Sequence, residues 1–153
     1  MNIFCAGGGA CISVASLCFE SGVLEFSAIC NSENMSILVG VTDASPESID
    51  MTDATKNKQR YACSFFNGKV FGPDISFNFF EPCTEIAGES REKNGRKKKK
   101  SHFFFTVRLD LDERKLYFAA DGGEFGDAAF ENLPPGLWRP YFALANGASL
   151  TCI

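Results

Sequence analysis

The chain has 153 residues, 45% of them hydrophobic and 16 of them Phe, with a formal net charge of −4. That is enough for one domain burying roughly 70% of its unfolded surface and too little for two. No run approaches the ~18 apolar residues of a membrane helix, and the seven cysteines, odd in number and without a CxxC pair, signal neither a complete disulfide framework nor a zinc finger.

Abundant Phe, Val, Ile and Thr favour strands, and no segment holds a sustained 3.6-residue apolar stripe, so the expected class is all-β, a two-layer antiparallel β-sandwich. A short apolar start at residues 2–5 ends in the turn Gly7-Gly8-Gly9. It lacks the basic leader of a secretory signal. Residues 10–19 alternate loosely and residues 23–30 clearly, predicting two strands. Asn31-Ser32-Glu33-Asn34 is a polar turn, and residues 36–41 form a buried strand. Residues 42–59 lose all periodicity and collect Asp, Ser, Thr, Pro and Asn, which predicts a long exposed loop with a helical turn near residues 46–51. Strands resume at Arg60: residues 61–66 and 69–71 flank Asn67-Gly68, the favoured hairpin pair, and residues 75–80 form another.

Residues 81–102 read as a second exposed, basic loop. Its stretch 91–100 holds seven of the 15 basic residues and one acid, Glu92, so this stretch is +6 and the rest of the chain −10. From Thr106 to Leu111 apolar Val107, Leu109 and Leu111 alternate with polar Thr106, Arg108 and Asp110, the period of a half-buried strand. Asp112, Glu113 and Arg114 form a charged turn into a second strand at residues 115–120, closed by Asp121-Gly122-Gly123. Residues 125–130, a Leu133-Pro134-Pro135-Gly136 corner, an apolar run at 137–144 and a last strand at 148–153 complete the chain.

The closing segment DLDERKLYFAADGGEFGDAAFENLPPGLWRPYFAL resembles the end of a SPRY domain. Phe118, Gly126, Ala129-Phe130, Leu133, Pro140 and Ala143 fall on that family's positions in order and spacing. GVLEFSA is similar to the family's early aromatic strand, with Phe26 in the aromatic slot, and Leu38-Val39-Gly40-Val41 to its "VGV" strand. Tyr61-Ala62-Cys63-Ser64-Phe65-Phe66 stands where the family carries a tryptophan strand, without the tryptophan. The resemblance covers about residues 20–153 and implies one SPRY-like sandwich over residues 1–153, of the concanavalin-like jelly-roll type. It also implies a protein-interaction module, an adaptor or the substrate-recognition part of a larger complex, rather than an enzyme.

In SPRY relatives that carry a SOCS box, the peptide site is made by the loop before the "VGV" strand, the loop after it and the turn before the last strand. Here these are residues 31–36, 42–59 and 145–148, expected to share one rim. The resemblance therefore puts forward Asn31, Glu33, Asn34, Asp43, Pro46, Glu47 and Asn146 as partner-binding. Asn146 replaces the tryptophan of that subgroup, and its loop tyrosine is replaced near Thr52, so its asparagine-rich peptides are not expected ligands. The acids Glu33, Asp43 and Glu47 point instead to a basic or polar peptide.

Other chemistry has weaker ground. His102, the single histidine, stands at a loop edge without a neighbouring nucleophile, and no catalytic residue is expected. Asp110, Asp112 and Glu113 straddle a turn and lack the Gly and terminal Glu of a calcium loop, so neither a metal nor a cofactor is expected. Cys63 and Cys83 read as buried, and Trp138 and Phe103-Phe104-Phe105 as core. Cysteine used as a small hydrophobe fits a reducing compartment, cytoplasmic or nuclear. Arg96, Lys97, Lys98, Lys99 and Lys100 form an alternative site for anions or nucleic acid, without interleaved aromatics to stack on bases. A lectin-like glycan site on the rim is a further alternative. The chain is expected to be a monomer.

Overall fold

The computed structural model describes residues 2–4, 10–30, 37–51, 53–64, 67–79, 89–91, 97–99, 103–120, 122–145 and 149–152. Among these residues thirteen strands follow in chain order: β1 (Asn2–Phe4), β2 (Ala10–Val14), β3 (Val23–Cys30), β4 (Ile37–Thr42), β5 (Arg60–Ser64), β6 (Lys69–Gly72), β7 (Ile75–Asn78), β8 (Glu89–Arg91), β9 (Lys97–Lys99), β10 (Phe103–Asp110), β11 (Lys115–Ala120), β12 (Arg139–Ala145) and β13 (Ser149–Cys152). Eleven of them form an all-β sandwich: a five-stranded sheet in the order β1-β13-β3-β10-β11 and a six-stranded sheet in the order β2-β12-β4-β5-β6-β7. Every pairing is antiparallel.

The period-two pattern decides which side chains meet between the sheets. From the five-stranded sheet come Phe26, Ala28, Phe105, Val107, Leu109, Leu116, Phe118 and Leu150, and from the six-stranded sheet Val39, Val41, Cys63, Val70, Phe142 and Leu144. Each such Leu, Val or Phe, once removed from water, contributes about 1.5–3 kcal/mol. Phe118 is 2% exposed and Trp138 is fully buried, so both are packing residues. Trp138 follows the Pro134-Pro135 corner, donates its indole N–H to the Pro134 carbonyl at 3.3 Å, and pairs by its backbone with Phe19.

Turns fall where the residues allow them. The β5–β6 hairpin closes through Asn67-Gly68, with Gly68 at φ +72° and the Lys69 N–H donating to the Asn67 side chain at 3.0 Å. In the β10–β11 turn Asp110 accepts the Glu113 N–H, and Asp112 accepts the Gly22 N–H from the neighbouring loop at 3.0 Å. These carboxylates are turn fasteners.

Gly40 in β4 has a stricter role. A Cβ there would lie 1.9 Å from the Tyr61 carbonyl oxygen of β5, so only hydrogen fits.

Glu89–Arg91 pairs with Lys97–Lys99 as a separate two-stranded ribbon. Three lysines in a row show no apolar alternation that could have announced this strand.

Candidate interaction surface

Across β2, β12, β4 and β5 the six-stranded sheet keeps its outward face largely out of water. Ile12, Ala62, Tyr141 and Ala143 point away from the main core yet are buried, because residues 43–59 cross back over them as a strap. Ala44 and Ile49 of the strap, 6% and 8% exposed, pack into this second cluster beside Val14, Leu38 and Ala54. A strap of this length would otherwise pay its ordering entropy unaided. Here two devices hold it.

The first closes its ends. Thr42, fully buried, accepts the Ala44 N–H at 3.1 Å and donates its hydroxyl to the Gln59 carbonyl, 17 residues away, at 3.0 Å. The second fixes its middle. Asn57 accepts the Asp50 N–H at 2.7 Å and donates to the Asp50 carbonyl and to the Tyr141 hydroxyl, each at 3.0 Å. A buried amide so paired avoids the penalty of an orphan polar group. Arg60 adds two 2.7 Å bonds from Nη1 to the Ala54 and Asn57 carbonyls. Asp53 caps the 3-10 turn Ala54–Lys56 through the Thr55 N–H and hydroxyl, which hold its own carboxyl below its ordinary value.

Between the buried anchors Ala44 and Ile49, residues 45–48 are all exposed. They form the expected helical turn, a 3-10 turn over Pro46–Ser48, tightened by the Ser48 N–H and hydroxyl on the Ser45 carbonyl at 3.0 and 2.8 Å. Pro46 and Glu47 are therefore displayed on a turn pinned at both sides.

Asp43, just before it, is half-buried, and burial raises its carboxyl above the ordinary value against an opposing backbone hydrogen bond. The Tyr61 hydroxyl is raised as well, by burial first and then by the Asp43 charge. Tyr61 is set by an edge contact to Phe130, 5.1 Å between rings, and a tilted contact to Trp138, 5.3 Å. A cleft of about 200 Å³ lies along the strap between Ile49 and Lys58.

The structure thus brings Asp43, Pro46 and Glu47 together on one element. Asn31, Glu33, Asn34 and Asn146 lie outside the described residues, as do Arg96 and Lys100 of the basic run and Thr52, Cys83 and His102. The flanks are informative. Cys30 pairs with Leu150 and Ile37 with Leu144, at one end of the sandwich. Asp43 follows Thr42, which pairs with Arg139 at the other end of β4, roughly 17 Å away. Residues 31–36 and 146–148, expected to share one rim with residues 42–59, lie outside the described residues.

Reading the residues alone missed Asn57, Asp50, Arg60 and Tyr141. The signals were present: Asp53-Ala54-Thr55 has the spacing of a side-chain cap, and the unbroken apolar run at residues 141–144 marks a strand covered on both faces. Among the described residues, no three His, Cys, Asp or Glu gather as a metal site, and no helix is long and apolar enough to cross a membrane.

No family model matches the chain, and no curated protein matches it. Solved structures do. The chain is similar to the SPRY domain of human HERC1, at 18% identity and a TM-score of 0.69 over 99% of this chain and 86% of that one. It is also similar to the TRIM65 PSpry domain, at 13% identity and a TM-score of 0.64 over 93% of this chain and 70% of that one. At such identities the likeness is one of fold.

Proposed function

The chain has the SPRY fold, and from that premise we propose that it is a protein-interaction module that docks a peptide or protein segment on its loops, as an adaptor or recognition part of a larger complex. The observation that carries this reading is the strap: residues 45–48 stand exposed between two buried anchors, on a backbone fixed by Thr42 and Asn57. A pre-ordered turn loses little entropy when a partner lands on it, which is how a small surface reaches useful affinity. Asp43 and Glu47 favour a segment carrying basic or polar side chains, and Pro46 supplies a stiff apolar contact.

Titrating a peptide library against the wild type and the Glu33→Lys, Asp43→Lys and Glu47→Lys variants tests it. Basic hits that lose tenfold or more in the Asp43 or Glu47 variant support the strap as the docking element. Unchanged affinity for every hit in all three variants removes it.

A further inference from the structure

On the other side of the strap a groove of about 230 Å³ opens towards the β6–β7 hairpin, lined by Lys58, Arg60, Phe71, Asp74 and Ser76 among others. Two cations face one carboxylate there. Among the described residues neither Lys58 nor Arg60 has an ion-pair partner, while Lys56 next to them is 3.9 Å from Asp50. The Arg60 guanidinium is held in place: its carbon sits 5.7 Å from the centre of the Phe71 ring, and Nη1 is taken up by two strap carbonyls. What is left over is the side-on fork of Nη2 and Nε, and Nε is buried with no acceptor. A planar fork of this kind matches the two oxygens of a carboxylate or phosphate, and a buried donor left unpaired is costly until an acceptor arrives.

We propose that this groove is a subsite for an acidic side chain of the docked segment, a carboxylate or a phosphorylated hydroxyl, received by the Arg60 fork with Lys58 completing the charge. The inference rests on the docking role proposed above and adds the second half of the partner's charge pattern: basic where it meets Asp43 and Glu47, acidic where it meets Arg60. Asp74 opposes the anion. It sits in the Pro73-Asp74 turn at φ +53°, a conformation that Asn adopts readily, so Asp74→Asn removes the opposing charge without straining the hairpin.

The test follows the Arg60 Nε–Hε resonance of the full chain by NMR. The probes are one neutral octapeptide frame carrying a central Glu, phosphoserine or Gln, and inorganic phosphate. The proposal expects the Glu or the phosphoserine peptide to move the resonance and the Gln peptide to leave it in place, the stronger of the two identifying the source of the oxyanion. Affinity falls roughly fivefold in Lys58→Gln, rises roughly threefold in Asp74→Asn, and is unmoved when Lys97, Lys98 and Lys99 become Ser. Arg60 also braces the strap, so Lys58 and Asp74 carry the test in a folded protein.

A resonance that no peptide moves overturns the proposal. So does a response to inorganic phosphate alone, an adventitious ion only, or binding lost in the triple-lysine variant and kept in Lys58→Gln. The two readings fail separately: an Asp43→Lys defect with a silent Arg60 resonance removes the groove and leaves the strap, and the converse removes the strap and leaves the groove.

Discussion

The two sheets of the sandwich meet the outside in different ways. On the five-stranded sheet, the outward positions of β3 and β10 include Glu25, Ser27, Thr106 and Arg108, and the Ser27 and Thr106 hydroxyls bond across the strands at 2.9 Å. That face ends in polar groups. On the six-stranded sheet, the corresponding positions are Ile12, Ala62, Tyr141 and Ala143, roofed by the strap into a second apolar cluster. An antiparallel sheet can leave one face to solvent only if its residues alternate. Where they do not, a loop must cover it, so the covering of this sheet and the display of residues 45–48 are one structural event.

If this contrast is sound, the two cores respond differently to damage. The largest effect belongs to the shared core: Phe118→Ala removes a ring that is 2% exposed and is expected to cost about 3–5 kcal/mol. Urea unfolding checks the size, and hydrogen exchange checks the reach, since strap and strands alike should lose protection. Next comes Asn57→Ala, which leaves the Asp50 N–H and the Tyr141 hydroxyl without their partner at about 2 kcal/mol. Here the loss should be local: the Asp50 amide exchanges faster while the amides of Val107 and Val39 keep their protection. Equal loss across both sheets would erase the distinction, making the strap part of one cooperative unit with the main core.

The contrast also explains what could be read from the residues. The strands β3, β10 and β11 were plain because one face is wet, and wet-dry alternation is the signal that period-two reading detects. The run Tyr141, Phe142, Ala143 and Leu144 is apolar at every position, which reports burial on both faces without naming the cover. The cover itself was hidden, because Asp50, Asn57 and Thr55 look like any polar loop until the fold brings Tyr141 to Asn57, 84 residues away. Pairing in the β8–β9 ribbon was hidden for the opposite reason, that Glu89–Arg91 and Lys97–Lys99 are polar at every position and carry no apolar alternation.

Smaller changes sharpen the comparison. Tyr141→Phe keeps the ring in the second cluster and removes only its bond to Asn57, so about 1 kcal/mol is expected by urea unfolding. A loss as large as that of Asn57→Ala would place the strap's anchor at the tyrosine and not at Asp50.

The least change is expected at Asp43, where burial raises the carboxyl above its ordinary value. A folded-state value above the unfolded one means that the native chain holds the proton more tightly. The stabilising contribution is complete below the unfolded value of 3.8 and is lost as pH rises through the folded one. At neutral pH the ionised, half-buried carboxylate is therefore a small cost, borne beside the turn that displays Pro46 and Glu47. Asp43→Asn is expected to raise stability slightly at pH 7, by less than Tyr141→Phe lowers it, and to leave it unchanged in acid below pH 3. A variant less stable at pH 7 would mean that the carboxylate fastens the strap, and a residue that fastens it is not spared for a partner.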